Sequence, residues 1–421
     1  MGRRILLVTT DQQRYDTLGC NGGLVARTPV VDRLAASGVR YERAHPQSVV
    51  CMPSRSTILT GQHAEAVSMY YPVLDASLQV NAAGGGDTAA PQVHVNPIPR
   101  DWYHTDWVAE RVISWLDSLA DGEDWLCWVS FPDPHHPWDP PESEVRRVNW
   151  REVPLPAGYP ERAAERERLI DGKPRHWRLW YDGGLVSDYE APASWIPATL
   201  TPDQLREVTA RNAVECELID EALGRVLARI AQRGWDESTD VLFTTDHGEL
   251  GGDFGLMFKG PYHVDGLMRL PLVWRPAPEA SIRPAVVSAP VGLVDLAPTL
   301  CRIAGLPAAE WMQGRALPTD DDEARARGIE RVLTEWDSEL FGVDVHLRTI
   351  MRDHYVLTRY MAGSVHDGTE GELYDLAEDP LQRDSRFDDP TLRALRDDLL
   401  SDLLAHLPPA REPRLLLEAP V

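Results

Sequence analysis

Three short apolar runs, residues 4–10, 125–131 and 241–245, each stop at polar, metal-competent side chains. The first ends at Asp11-Gln12-Gln13-Arg14, the second at Asp133-Pro134-His135-His136-Pro137 and the third at Asp246-His247-Gly248. Short, continuous apolar runs predict buried strands. Between them the period changes. Residues 30–37 follow Thr28-Pro29 and stop at Gly38. Trp107, Val108, Val112, Ile113, Leu116 and Leu119 recur at helical spacing over 106–119. Thr201-Pro202 opens a long helix that Leu205, Val208, Cys216, Ile219, Leu223, Val226 and Ile230 carry to Gly234. A fourth strand is predicted at 270–274. Strands alternating with helices predict a large, mostly parallel sheet sandwiched by helices. Ligands of such sheets bind beyond the carboxyl ends of the strands. One polar strand end is an ordinary turn; three on one edge predict an active site.

The chain becomes polar and acidic over 316–329. That divides it into an α/β unit of residues 1–325 and a second unit of residues 326–421. The second unit carries strand-like runs near 331–336, 346–351 and 354–360 and a helix near 390–407, which predicts a small C-terminal antiparallel α+β subdomain. Two units suit a length of 421 residues. Internal repeats are absent, and the one low-complexity patch is residues 81–86, inside a weakly patterned stretch from 64 to 104.

Acids outnumber bases by 66 to 42, for a net charge of −24. This charge excludes nucleic acid and an anionic membrane surface as partners. Residues 5–8 form an apolar run too short for a signal core or a membrane span, which predicts a cytoplasmic protein. Five dispersed cysteines without a CxxC pair predict reduced thiols. Only two of the bases, Lys173 and Lys259, are lysine.

Asp11, Asp246 and His247 together offer hard oxygen donors and one imidazole, a set suited to Ca²⁺, Mg²⁺ or Mn²⁺. Without an HExxH motif or a cysteine cluster, a zinc site is not expected. Pro53 fits the first turn of a helix, which places Cys51 at that helix's N-terminus, where free backbone N–H groups attract an anion. Arg55 adds a fixed charge. These features predict an anion-binding nucleophile site; a buried cysteine behind a helix cap is the plainer alternative.

Cys51-x-Pro53-Ser54-Arg55, followed by Ser56-Thr57-Ile58-Leu59-Thr60-Gly61, resembles the signature of the type I, formylglycine-dependent sulfatases of the alkaline phosphatase superfamily. Thr10-Asp11-Gln12-Gln13-Arg14, Thr28-Pro29-Val30-Val31-Asp32, Pro134-His135-His136-Pro137, Thr245-Asp246-His247-Gly248-Glu249, Phe258-Lys259-Gly260 and Gly371-Glu372-Leu373-Tyr374-Asp375 resemble further blocks in the family's order. The resemblance spans both units except part of 64–104 and implies an alkaline-phosphatase-like fold.

It further implies that Cys51 is converted to formylglycine by a formylglycine-generating enzyme. The hydrated aldehyde would attack the sulfur of a sulfate ester, form a covalent sulfo-enzyme and then release sulfate. Asp11, Gln12, residue 51, Asp246 and His247 would hold one divalent metal, with calcium the first expectation and manganese or magnesium the alternatives. Arg55 would support the diol, and Lys259 would neutralise the sulfate. His135 would be the general acid, with His136 as fallback; Gln12 and His136 would also face substrate. Glu249 would orient the Asp-His turn.

Two departures stand out. The family's Gly-Lys-x-His block lacks its lysine here, since none precedes Lys173. Gln12 and His247 occupy positions where many sulfatases carry Asp and Asn, a combination shared with the phosphonate monoester and phosphodiester hydrolase branch, which often uses manganese. Three readings follow: a sulfuric ester hydrolase, a phosphonate or phosphodiester hydrolase on the same site, and a catalytically impaired anion-binding protein. The acidic surface favours a small monosulfated substrate over a polyanion. Trp102, Tyr103, Trp138, Trp177 and Trp180 are either core or a stacking wall. Lys173, His63, His94 and His104 are expected at the surface or in loops, and Cys20, Cys127, Cys216 and Cys301 in the core.

Overall fold

The computed structural model describes residues 3–63, 85–184, 196–340 and 343–407. Residues 64–84, which include most of the low-complexity patch and about half of the 64–104 stretch, lie outside them.

Among the described residues, seven strands form the large sheet: β1 (Arg4–Thr10), β2 (Val39–His45), β3 (Trp125–Ser130), β4 (Thr239–Thr245), β5 (Leu270–Arg275), β6 (Ala285–Val287) and β7 (Val291–Gly292). Their spatial order is β3-β1-β4-β5-β2-β6, with β7 also on β2. β1 runs parallel to β3 and β4, and β2 parallel to β6 and β7. β5 is antiparallel to both its neighbours, β4 and β2. It therefore departs from the parallel alternation expected for 270–274. The reason lies in the connection: residues 246–269 hold only short helices and turn back along the sheet edge where β4 ends. A direct return makes an antiparallel pair, whereas a parallel one needs a crossover.

β1 is buried throughout and alternates its side chains between two cores. Leu6 and Val8 pack with Val31, Leu34, Val112, Leu116, Leu223 and Val226 from the helices Pro29–Ser37, His104–Ser118 and Pro202–Gln232. Ile5 and Leu7 pack on the other face with Ile58, Leu296 and Ile303 from the helices Cys51–Thr60 and Leu296–Ala304. The long helix starts where Thr201-Pro202 indicates: Thr201 accepts from the Gln204 N–H, and Gln204 reaches back to the Thr201 N–H.

A second sheet, antiparallel throughout, has the order β11-β10-β9-β8, with β8 (Arg331–Leu340), β9 (Val343–Arg352), β10 (Tyr355–Tyr360) and β11 (Gly371–Asp375). The helix Arg393–His406 covers one face through Leu399 and Leu403. The other face joins an aromatic core: Trp336, Leu347 and Tyr360 pack with Trp138, Trp177, Phe254, Phe258 and Tyr262 of the first 325 residues.

Lys173 sits in that join and is not solvated; its side chain is 1% exposed. Its Nζ donates to Tyr374 Oη at 2.5 Å, to the Gln382 carbonyl at 2.6 Å and to Glu372 Oε1 at 3.4 Å, between the rings of Phe254 and Tyr374. Burial lowers the lysine pKa, and Glu372 opposes that shift. Lys173→Met should lower stability by about 3–5 kcal/mol, because it leaves the buried Glu372 carboxylate with two tyrosine hydroxyls and no counter-charge. Urea unfolding checks this: the midpoint should fall while the slope stays unchanged.

Candidate active site

The parallel strands deliver their polar ends to one edge. β1 ends at Asp11-Gln12, β4 at Asp246-His247 and β3 just before His135-His136. Gln12 adopts φ +60°, which turns the chain sharply and lets its N–H donate to Asp246 Oδ1 at 3.1 Å. The helix Cys51–Thr60 begins with its cysteine facing this edge. Cys51 Sγ lies 3.5 Å from Asp11 Oδ1 and 3.2 Å from His247 Nε2. One donor atom each from Asp11, Cys51, Asp246 and His247 falls within 4.8 Å of the others.

One helical turn after Cys51, Arg55 spans both carboxylates. Its Nε donates to Asp246 Oδ2 at 2.8 Å, its Nη2 to Asp11 Oδ2 at 2.9 Å and its Nη1 to Ser130 Oγ at 2.6 Å. Ser54 Oγ donates to the Asp246 carbonyl at 2.6 Å. Burial pushes Asp11 up to about 7; Asp246 adds to the shift, and Arg55 and Lys259 oppose it. Burial would raise Asp246 as well, but His247, Arg55 and the Gln12 N–H hold it below its ordinary value. The two carboxylates therefore differ: Asp246 is the settled anion and Asp11 the one that takes up a proton.

The segment after His247 folds back on itself to bring Lys259 to the same edge. Gly251, Gly252, Phe254, Gly255 and Phe258 all have positive φ. Gly248 admits no side chain, since a Cβ would collide with the Gly266 carbonyl. Arg14 braces the fold-back, with Nη1 donating to the carbonyls of Glu249 and Leu250 at 2.9 and 2.7 Å and to Asp253 Oδ2 at 2.9 Å. Lys259 Nζ then lies 2.9 Å from Gln12 Oε1 and 2.7 Å from His135 Nε2. His135 Nδ1 faces the His136 carbonyl, which leaves Nε2 as the atom toward Lys259. His136 is buried, with its ring against His135 and Phe258.

All nine residues singled out in the sequence, Asp11, Gln12, Cys51, Arg55, His135, His136, Asp246, His247 and Lys259, thus lie in one connected cluster. Gln12 turns its side-chain oxygen to Lys259 and its nitrogen toward Glu249 and His136. Sequence reasoning missed Ser54, Ser130 and Arg14, whose roles come from tertiary placement. It also missed His104, whose Nε2 meets Asp133 Oδ1 at 2.6 Å just before the His135 turn. Burial lowers the His104 pKa, but Asp133 more than reverses this. His63 is largely covered and pairs with Glu335 at 3.3 Å. Of the proposed aromatic wall, Tyr103, Trp138, Trp177 and Trp180 are core, and Trp102 alone is exposed. Cys216 is buried, and Cys20, Cys127 and Cys301 are partly covered. Among the described residues, no helix is long and apolar enough to cross a membrane.

The sulfatase family profile matches residues 3–85 and 87–306, and the profile of the N-sulphoglucosamine sulphohydrolase C-terminal region matches residues 252–407. The chain is 24% identical to the uncharacterised sulfatase YidJ of Escherichia coli (strain K12), over 97% of this chain and 88% of that one. It is 22% identical to an arylsulfatase of Clostridium perfringens, over 90% of this chain and 89% of that protein. The phosphonate monoester hydrolase of Agrobacterium radiobacter shares the fold, with a TM-score of 0.77 at 19% identity over 96% of both chains.

A cation at this donor set requires Asp11 ionised. Because the folded pKa of Asp11 stands above its ordinary 3.8, the ion-depleted fold loses stability as pH rises through about 7. A bound cation removes that loss. The Tm gain on adding a divalent cation to EDTA-treated protein should therefore widen between roughly pH 5 and pH 8. Differential scanning calorimetry across that range checks it.

Proposed function

The chain belongs to the sulfatase family, and from that membership we propose that it hydrolyses a sulfate ester of a small molecule, using a nucleophile derived from Cys51. The observation that carries this reading is the placement of Cys51 Sγ within 3.5 Å of both Asp11 and His247, at a helix N-terminus backed by Arg55. A thiol amid hard donors is ill suited to calcium, manganese or magnesium; an oxygen-bearing side chain at position 51 suits them. Conversion of Cys51 to formylglycine by a formylglycine-generating enzyme would supply that oxygen and, on hydration, the hydroxyl that attacks sulfur.

Asp11, Asp246, His247 and residue 51 would hold the divalent cation, with Gln12 adjacent. The cation, calcium in the first instance, would supply Lewis-acid activation of the nucleophile. Every other part falls to the chain. Arg55 holds Asp11 and Asp246 in place and stays charged because both carboxylates face it. Lys259 pairs with the anionic oxygens of the substrate and with the charge that develops on them. His135 Nδ1 donates to the His136 carbonyl, which keeps Nε2 outward as the atom that accepts from Lys259; once Lys259 turns to the substrate anion, Nε2 takes up a proton from solvent and passes it to the leaving oxygen.

A second reading uses the same cluster on a phosphonate monoester or phosphodiester. Gln12 beside Asp11, His247 beside Asp246, and the shared fold with a phosphonate monoester hydrolase support it. The two substrates differ in the atom attacked, not in charge, so kcat/KM on an aryl sulfate against an aryl phosphonate decides between them. Negligible sulfate turnover would sink the first reading, and no turnover of either would leave an anion-binding protein.

Two outcomes are expected. Co-expression with a formylglycine-generating enzyme should change the mass of the Cys51 peptide by a sulfur-for-oxygen exchange and the loss of two hydrogens; an unmodified thiol refutes the mechanism. Cys51→Ala and Lys259→Ala should each lower kcat/KM by about a thousandfold or more with Tm little changed.

A further inference from the structure

One buried carboxylate outside the assigned cluster touches the backbone of the Lys259 arm and reaches its tip through Gln12. Glu249 is 3% exposed and lies two residues after His247. Its main chain is fixed: its N–H donates to the Gly266 carbonyl at 3.1 Å, and its carbonyl accepts from Arg14. Its Oε1 accepts from the Gly251 N–H at 3.0 Å and from the Phe258 N–H. Its Oε2 accepts from Gln12 Nε2. Gln12 Oε1 in turn accepts from Lys259 Nζ at 2.9 Å.

This chain of contacts has one possible polarity. A carboxylate only accepts and an ammonium only donates. The Gln12 amide can satisfy both only with its NH₂ toward Glu249 and its oxygen toward Lys259. We infer that Glu249 is a positioning residue that locks the Gln12 amide in this orientation and thereby sets where the Lys259 ammonium stands. Through Oε1 it also pins Phe258, which holds φ +70° directly before Lys259. The inference rests on the reading of Lys259 as the ligand of the substrate's anionic group.

A loop brace alone would predict something different. It would lower Tm and the yield of active protein and leave KM untouched. Glu249→Gln keeps shape and volume, and its oxygen can still serve Gly251 and Phe258. Its new NH₂ then faces the Gln12 NH₂, so the Gln12 amide must turn over and offer nitrogen to the ammonium. KM for p-nitrophenyl sulfate and Kd for inorganic sulfate, measured by calorimetry, should both rise about 10- to 100-fold, with kcat changed less. Gln12→Glu alone places two carboxylates together and should also impair binding. The exchange variant Gln12→Glu/Glu249→Gln reverses donor and acceptor at the 12–249 contact alone, keeps an oxygen toward Lys259 and another toward the Gly251 and Phe258 N–H groups, and should bind sulfate more tightly than either single variant.

Wild-type KM and Kd in Glu249→Gln overturn the inference, as does an exchange variant no better than the weaker single one. If the wild type neither turns over p-nitrophenyl sulfate nor binds sulfate, the functional reading falls and takes the inference with it. Normal wild-type turnover with Glu249→Gln unaffected defeats this inference alone.

Discussion

The site depends on one guanidinium. Two carboxylates at the ends of adjacent strands, Asp246 fully buried and Asp11 largely so, repel each other when both are ionised by about 4 kcal/mol at about 4 Å and an effective dielectric near 20. Arg55 stands between them with one nitrogen on each and a third on Ser130. A planar fork can do this and a lysine cannot, because an ammonium is a single point of charge. Arg55 also belongs to the helix that begins at Cys51, so the group that neutralises the carboxylates carries residue 51 into place.

The sheet does the rest of the assembly. β1, β3 and β4 are neighbours and parallel, so the residues after each must emerge at one edge. Residues 11, 135 and 246 meet for that reason. Lys259 needs a different device, because the chain past β4 does not cross the sheet. It turns back through a series of positive-φ residues and returns as β5, so the arm stays at the edge where the carboxylates are.

Residues alone reveal β1, β3 and β4 because strands covered on both faces appear as continuous apolar runs. They do not reveal β2, where Arg40, Glu42 and Arg43 interrupt the pattern; Arg40 and Glu42 pair with each other at 3.2 Å at the partly covered positions. β5 is visible as a strand, but its direction depends on the connection and not on periodicity. β11 is concealed within a five-residue stretch recognisable only as a motif. The nine cluster residues were accessible because each sits at a strand end or in a short motif. Glu249, Ser130 and Arg14 gain their roles from partners far along the chain: Arg14 and the Glu249 carbonyl are 235 positions apart. Lys173 reads as solvated because lysines usually are, and its partners Glu372 and Tyr374 lie 199 and 201 residues away.

Both lysines are therefore interior, one in the aromatic join between the sheets and the other at the catalytic edge. Arginine supplies all the other side-chain cations. The folded protein thus shields both ε-amines from enzymes that attach groups to lysine, and Lys173 from small acylating reagents as well. Labelling at Lys173 would report the small sheet lifting away, and enzymatic labelling at Lys259 would report an opening of the site. The composition gives this molecule two native probes of its own breathing, each at a joint that matters.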